Sequence, residues 1–188
     1  MADAKITALT ELTDVVDADM LAIVDDVAGT PITKKVSRAN LIGEFFQFGQ
    51  IYTDAGSGSQ TLSSGSYTTL TQFDSNGPSS SLVTPDAANN KITVTGTGFY
   101  YVTFSLSFSG TGSTTWEGHV FWNGTEEANI AFKRRVGSGG DIGVIAAAGI
   151  IDVTTGSTDF DVRVQPDGAS KDIVVEEAQL CVFRIAAT

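Results

Sequence analysis

Residues 98–109 constrain the fold of this chain more than any other stretch, because apolar and small polar side chains alternate along them. The apolar positions are Tyr100, Val102, Phe104, Leu106 and Phe108. Thr103, Ser105 and Ser107 stand between them. Successive side chains of a strand point to opposite faces, so the first set forms one apolar face. Aromatic and β-branched residues suit a pleated, half-buried surface, whereas helical spacing fits poorly. We predict the central strand of a β-sandwich here.

The composition supports an all-β globular protein of acidic character. The chain has 188 residues, 41% of them hydrophobic and 18% charged, with 20 Gly. A chain of this length buries a substantial core, and its composition is not that of a disordered segment. The formal net charge of −11 repels a polyanion at long range, which argues against nucleic acid as a partner.

Cysteine usage and apolar runs predict folding in a cytoplasm. Cys181 is the one cysteine, so an intrachain disulfide is impossible, and its apolar surroundings favour a small buried hydrophobe over a nucleophile. The first four residues lack the basic start and apolar run of a signal peptide. No apolar stretch approaches the length of a membrane-spanning helix, so we expect no membrane partner.

Residues 1–48 differ in character from the rest and predict a small N-terminal arm. Residues 20–25 and 31–36 read as the two strands of a hairpin that turns at Gly29, and Ser37 is placed to cap a short helix. Such a unit is too small to be stable alone, so its apolar side chains need a partner. We assign the docking surface of this arm to Leu21, Ile23, Ile32, Leu41, Ile42 and Phe45. The alternative is a subdomain that folds back on its own sandwich.

Residues 49–188 read as about eight strands separated by regular turns. Asn123 and Gly124 form the strongest hairpin signal, between strands predicted over residues 114–122 and 127–136. Residues 74–78 read as a turn cluster and residues 67–73 as a strand. This spacing predicts an antiparallel sandwich or jelly roll.

The last predicted strand, residues 173–185, is apolar on both faces. Cys181, Phe183 and Ile185 share one face, and Ala178, Leu180 and Val182 share the other. A strand in a single sandwich buries only one face, so the second face needs a cover. A second subunit or the N-terminal arm would provide it.

The region resembles the C1q and tumour-necrosis-factor-like domains, and four segments carry the similarity. They are residues 98–104 (the G-x-Y-x-F strand), 121–124 (the NG hairpin), 150–164 (the strands around the GD turn) and 178–185 (the closing strand). Ser157 stands where the family has Asp, and Gln179 and Cys181 replace Phe and Gly in the closing motif. The resemblance implies a ten-strand jelly roll in a tight homotrimer around the central aromatic strands. The interface candidates are then Tyr101 of the central strand, with Leu180, Val182 and Phe183 from both faces of the last strand.

The arm is similar to a different group of proteins, the virion proteins of tailed bacteriophages. The similarity lies in residues 6–12, 19–25 and 32–37. There, a short hairpin docks the protein onto the particle and a trimeric β module lies outside it. The resemblance implies a virion location, assembly in the host bacterial cytoplasm, and a major capsid protein or tail component as partner.

No residue pattern predicts catalysis, a metal or a cofactor. His119 is the single histidine, which excludes a catalytic triad and a multi-histidine metal site. Glu126 and Glu127 follow a hairpin turn and read as solvated charge, and Glu176 and Glu177 are expected on opposite faces of a strand. Residues 167–172 offer oxygen ligands without EF-hand spacing, and residues 133–135 form a basic cluster that we interpret as a solvated face.

We therefore expect a non-enzymatic structural protein. The first hypothesis is a homotrimeric capsid decoration protein, of the cement or head-fibre kind, anchored by residues 1–48 and stabilising the capsid. The chain has no coiled coil or other shaft, which favours the capsid over the tail. The alternative is a short tail fibre or adhesin that recognises a host surface glycan. A polysaccharide hydrolase lacks a convincing acid–base pair.

Overall fold

The computed structural model describes residues 20–25, 32–37, 46–54 and 58–187. The chain divides into two units, Met1–Glu44 and Phe45–Thr188. In the first unit, β1 (Met20–Asp25) pairs antiparallel with β2 (Ile32–Ser37), with Met20 opposite Ser37. This is the predicted hairpin, and Leu21, Ile23 and Ile32 lie on its strands. Leu41, Ile42 and Phe45, and the helix predicted after Ser37, lie outside the described residues.

The second unit consists of strands with one short 3-10 helix, Ala87–Asn89. The strands are β3 (Phe48–Tyr52), β4 (Ser59–Leu62), β5 (Thr68–Thr69), β6 (Ser75–Ser79), β7 (Val83–Asp86), β8 (Lys91–Val94), β9 (Gly98–Gly110), β10 (Thr114–Trp122), β11 (Thr125–Val136), β12 (Gly143–Val153), β13 (Thr158–Pro166) and β14 (Lys171–Ala186).

Within the described residues, these strands form two six-stranded antiparallel sheets. Sheet 1 has the order β12-β9-β14-β3-β6, with β4 also paired to β14. Sheet 2 has the order β11-β10-β13-β8-β7, with β5 also paired to β13. Along sheet 1 all neighbouring strands are separated in sequence by other strands, whereas sheet 2 joins the consecutive pairs β10–β11 and β7–β8 through β13. This mixture of hairpins and long crossovers is that of a jelly roll. The prediction of an all-β antiparallel jelly-roll sandwich is confirmed.

The core lies between the sheets, and β9 supplies its sheet 1 side as predicted. The five alternating apolar side chains of β9, from Tyr100 to Phe108, are at most 1% exposed. Phe160, Val162 and Val164 of β13 face them from sheet 2 and are fully buried. Aromatic contacts join the sheets: the ring of Phe108 meets Trp116 edge-on with centroids 6.4 Å apart.

The sequence located the long strands better than the short ones. Asn123 and Gly124 make the predicted tight turn between β10 and β11, with positive φ angles of 47° and 78°. The turn cluster predicted over residues 74–78 is instead largely strand β6. Pro78 is tolerated there because β6 is an edge strand, whose outer N–H groups need no partner. The strand predicted over residues 67–73 shrinks to β5.

Candidate interaction surface

Strand β14 separates its two apolar faces between the core and the outer surface of sheet 1. Leu180 and Val182 are fully buried in the sandwich core of the single chain. Phe183 points outward with 43% of its surface exposed, and Tyr101 of β9 is 40% exposed. Leu180 and Val182 thus have no surface to offer a second chain. Of the four residues predicted for a trimer interface, Tyr101 and Phe183 are the pair on the outer face.

Tyr101 and Phe183 belong to a continuous apolar row across four neighbouring strands. Ile150 of β12 lies opposite Tyr101 of β9, Tyr101 lies opposite Phe183 of β14, and Phe183 lies opposite Phe48 of β3. We call these four residues the apolar row. Ile150 is 60% and Phe48 38% exposed. Directly opposed side chains of neighbouring strands pack against one another, so the row is one surface and not four isolated side chains.

A β-bulge in β14 extends this surface beyond the row. The register between β14 and β9 shifts between Arg184 and Ala186, so Ile185 is the extra residue on the bulged strand. Ile185 is 54% exposed, and Phe99 beside the bulge is 40% exposed. Exposed apolar side chains scattered singly are ordinary, but a contiguous group of this kind marks an interaction surface.

The edge of sheet 1 supplies a second uncharged surface that adjoins the row. Along β12, the outward side chains are Val144, Ala146, Ala148 and Ile150, and all four are exposed. Long, uncharged edge strands are prone to pair or pack with another chain, and most proteins prevent this with a lysine, a proline or a bulge in the edge strand. Between Gly143 and Ile151, β12 has none of these.

The other end of the outer face is more polar. A groove of about 340 Å³ lies there, with Tyr52, Ser105 and Gln179 among its lining residues. Ser105 lies opposite both Ala146 and Gln179 in the neighbouring strands. The outer face of sheet 1 therefore changes from large apolar side chains at the row to a mixed lining at the groove, where hydroxyl and amide groups stand beside Glu177 and Val144.

Cys181 lies between these two regions, and its thiol has low reactivity. It stands opposite Thr103 and Gln50 and is 6% exposed. Burial disfavours the charged thiolate and raises the pKa of the Cys181 thiol to about 11. A thiol with such a pKa is protonated at neutral pH, which agrees with the predicted structural role.

The residues weighed for catalysis are distributed over separate places. His119 on β10 lies with its Nδ1 3.3 Å from an Oε1 of Glu126, and its ring meets that of Tyr67 edge-on. The expectation for Glu176 and Glu177 is wrong: β14 bulges between Val175 and Glu177, so both glutamates lie between the inward residues Val175 and Ala178. A bulge has no sequence signal that alternation alone would reveal.

The described residues also bear on metal binding and on membrane insertion. Among them, no group of three or more His, Cys, Asp or Glu side chains is arranged to hold a metal ion. In the same part of the chain, no helix is long and apolar enough to cross a membrane.

The two-sheet topology is that of a jelly roll, and similar solved structures show that it is of the C1q/TNF-like type. Eiger TNF from S. frugiperda is 13% identical, with 76% of this chain and 94% of that chain covered and a TM-score of 0.55. The globular domain of zebrafish complement 1qA is 16% identical, with coverages of 76% and 99% and a TM-score of 0.52. Murine APRIL is 12% identical, with coverages of 74% and 98% and a TM-score of 0.50.

These similarities establish the fold alone, since sequence identities of 12–16% carry no function with them. No family model matches the chain, and no curated protein matches it. The fold predicted from the sequence resemblance is therefore confirmed as a TNF/C1q-like jelly roll.

Proposed function

We propose that this protein is a non-enzymatic structural module that forms a homotrimer through the outer face of sheet 1. The observation that carries the proposal is the apolar row, in which four large side chains are each 38–60% exposed without a charged residue among them. Leaving such a surface in water is unfavourable by roughly 25 cal/mol per Å² relative to burying it. Covering the row therefore provides a driving force for association.

A second copy of the chain is the occupant that the surface fits. A three-fold ring needs two different patches on each chain, because its interfaces are heterologous. The apolar row is one such patch, and the uncharged outward side chains of β12 beyond Ile150 (Val144, Ala146 and Ala148) are the other. In the proposed trimer, the row of one chain packs against the β12 edge of the next. The known structures of this fold class are typically trimers, which supports the same state.

The charge distribution agrees with this arrangement. Three chains carry a total of −33, since each has a formal net charge of −11. The row and the outward side of β12 between residues 144 and 150 hold none of that charge. Interface cores are depleted in charged residues in the same way.

The self-association proposal is tested by the mass of the full chain in solution. Size-exclusion chromatography with light scattering should give three times the 19.7 kDa chain mass. The double variant Tyr101→Asp/Phe183→Asp places charges in the row and should elute as a folded monomer. Ala131→Asp is the control, because Ala131 is exposed on β11 of sheet 2, is part of neither the row nor β12, and should leave the trimer intact. A monomeric wild type, or a trimeric double variant, would overturn the proposal.

For the biological setting, we propose a tailed-phage virion, with the trimer on the capsid as a decoration protein. The support is the sequence resemblance of the N-terminal arm to phage virion proteins. The arm would bind the major capsid protein, and the trimer would span capsomer joints and oppose their separation. Jelly rolls are a common architecture of viral capsid domains.

The alternative setting is a tail fibre or adhesin that binds a host glycan. Exposed tryptophans in loops would favour it, but Trp116 is fully buried and Trp122 packs against the core. Copy number per purified virion separates the two settings. Quantitative mass spectrometry against the major capsid protein should give hundreds of copies for a decoration protein, whereas a few trimers would indicate a tail appendage.

Removing the arm tests its docking role, and the structure shows where to cut. Gln47 is 2% exposed, and its side-chain oxygen accepts hydrogen bonds from the Ser80 hydroxyl at 2.7 Å and the Leu82 N–H at 3.0 Å. A truncation that keeps residue 46 onward preserves these contacts. The truncated chain should still form the trimer but fail to attach to particles. Attachment at normal occupancy would contradict the docking role.

A further inference from the structure

A polar pocket lies on the outer face of sheet 2, on the opposite side of the sandwich from the apolar row. Its volume is about 260 Å³. It is bounded by strands β8 and β13, by Thr69 of β5 and by the β10–β11 turn. The side chains that line it are Thr69, Asn89, Lys91, Asn123, Asp159, Asp161 and Arg163. Every one of these carries a hydrogen-bonding group.

Two ion pairs hold the charged groups of the pocket in place. Lys91 Nζ lies 2.7 Å from an Oδ2 of Asp159, which also accepts a hydrogen bond from Thr93. Arg163 Nε lies 2.6 Å from Oδ2 of Asp161. Partial burial acts to raise the pKa of Asp159, but the hydrogen bonds from Lys91 and Thr93 outweigh it and lower that pKa. The Asp159 carboxylate is thus ionised at neutral pH, and the two ion pairs fix the orientation of both carboxylates.

The neighbouring hydrogen bonds fix the uncharged groups as well. The Thr69 hydroxyl donates to Asp161 Oδ2 at 3.2 Å. The Asn123 carboxamide oxygen accepts the backbone N–H of Asp159 at 2.9 Å, which ties the β10–β11 turn to β13. Asp161 is 8% exposed, so its charge is held by these partners and not by bulk water. The pocket is preorganised, which lowers the entropy that a ligand loses on binding.

Three ligand classes fit this pocket poorly. A divalent cation would have to displace Lys91 and Arg163 from the two carboxylates. An anion would have to displace the carboxylates from the same cations, against a net charge of −11. An apolar ligand would leave the paired charges without water and gain no apolar contact in return.

A neutral polyhydroxylated ligand matches both the balanced charge and the hydrogen-bonding groups. Sugar hydroxyls donate to the two carboxylates and accept from the Asn89 and Asn123 amides. Hydrogen bonds to a charged group are stronger than those between neutral groups, and the two carboxylates of this pocket would each accept one from the sugar.

An aromatic cluster adjoins the pocket and supplies the apolar surface that a sugar ring needs. The Arg163 guanidinium lies 4.4 Å from the ring centroid of Phe121, on the boundary between pocket and cluster. The Tyr67 ring lies 5.7 Å from Phe121 and 4.9 Å from His119, and it is partly exposed. A partly exposed aromatic ring beside the pocket is able to pack against the C–H side of a saccharide that extends from it.

We propose that this pocket binds one residue of a neutral oligosaccharide, with Asp159, Asp161 and the two asparagine amides on its hydroxyls and Tyr67 beside the next residue. The site goes beyond self-association, because it lies on sheet 2 and leaves the apolar row free. A trimer would present three such sites on its outside.

The test uses the full chain on an array that carries neutral and acidic oligosaccharides, with detection through a C-terminal tag. Titration calorimetry then measures the affinity of the best neutral ligand. Asp159→Asn keeps the size of the side chain but removes one charge-assisted acceptor, and we expect it to weaken binding about tenfold. Asp152→Asn is the matched control, since Asp152 is an exposed strand residue on sheet 1. Lys91→Gln is a second pocket variant.

Binding to neutral saccharides that Asp159→Asn and Lys91→Gln weaken, and that Asp152→Asn leaves unchanged, supports the proposal. It is overturned if no neutral oligosaccharide binds, if acidic glycans alone bind, or if both pocket variants bind as the wild type does. Light scattering on the same samples reports the oligomeric state separately. A failure of sugar binding is therefore distinguishable from a failure to form the trimer.

Discussion

Cys181 is a probe of the outer face at the scale of a single residue. Because its thiol has a pKa of about 11, the thiolate fraction at pH 8 is about one in a thousand. We expect slow reaction with Ellman's reagent in the native protein, with a rate that rises about tenfold per pH unit up to that pKa. The same chain unfolded in guanidinium should react at the rate of a free thiol. Equal native and unfolded rates at pH 8 would contradict the burial of Cys181.

Gly98 is a second residue for which the structure predicts a specific effect of substitution on stability. Its φ is +139°, and a Cβ there would overlap the carbonyl oxygen of Ala186 in β14. Gly98→Ala should therefore lower the free energy of unfolding by about 2 kcal/mol or more, measured by denaturant titration. Gly156→Ala is the control, since a Cβ at that turn meets only Thr95 O at an ordinary 3.7 Å. Similar losses for the two variants would rule out a special requirement at Gly98.

The residues proposed for the interface show what the sequence alone could not predict about single side chains. The sequence placed Leu180 and Val182 on one face of the last strand and Phe183 on the other, and both faces are equally apolar. Hydrophobicity alone cannot say which face meets the other sheet, because that depends on the closure of the sandwich. The pairing of Phe183 with Tyr101 and Phe48 identifies the outer face, and it involves strands distant in sequence.

At the scale of elements, the central position of β9 makes a mutational prediction. Phe104 is 1% exposed, and its ring lies 6.0 Å from that of Phe132 in the opposite sheet. Phe104→Ala should lower the free energy of unfolding by about 3–5 kcal/mol, because it leaves a cavity between the sheets. Thr103→Ala, one position along on the outer face, should change it by less than about 1 kcal/mol. Circular dichroism during urea titration measures both, and equal losses would contradict the assigned facing of β9.

Strands were predictable where apolar and polar residues alternate over several positions, as in β9, β10 and β13. The tight turn at Asn123 and Gly124 was equally visible, because its positive φ angles need these residues. Strand β6 was not predicted, because Asn76, Gly77 and Pro78 favour turns. The pairing of β6 with β3 overrides that local preference. The bulge that brings Glu176 and Glu177 to one side was missed because strict alternation places adjacent residues on opposite faces.

The two outer faces of the sandwich divide the proposed roles at the scale of the molecule. Sheet 1 presents the apolar row for a second copy, and sheet 2 presents the charge-balanced pocket. This polar pocket was not predicted, because its residues come from five separate segments and none forms a local motif. The sequence did indicate that one face needed a cover, since an apolar outer face on the last strand is visible in the alternation.

The balance of charge and apolar burial in the proposed trimer predicts how salt affects it. Each chain carries −11, so three chains repel one another at low ionic strength, while the apolar row that holds them together is uncharged. The Debye length falls from about 30 Å at 0.01 M to about 8 Å at 0.15 M salt, which screens the repulsion between surface charges. Sedimentation equilibrium should therefore show tighter association as NaCl rises over this range. Dissociation on adding salt would instead mean that ion pairs hold the chains together, and it would remove the apolar row from its proposed role.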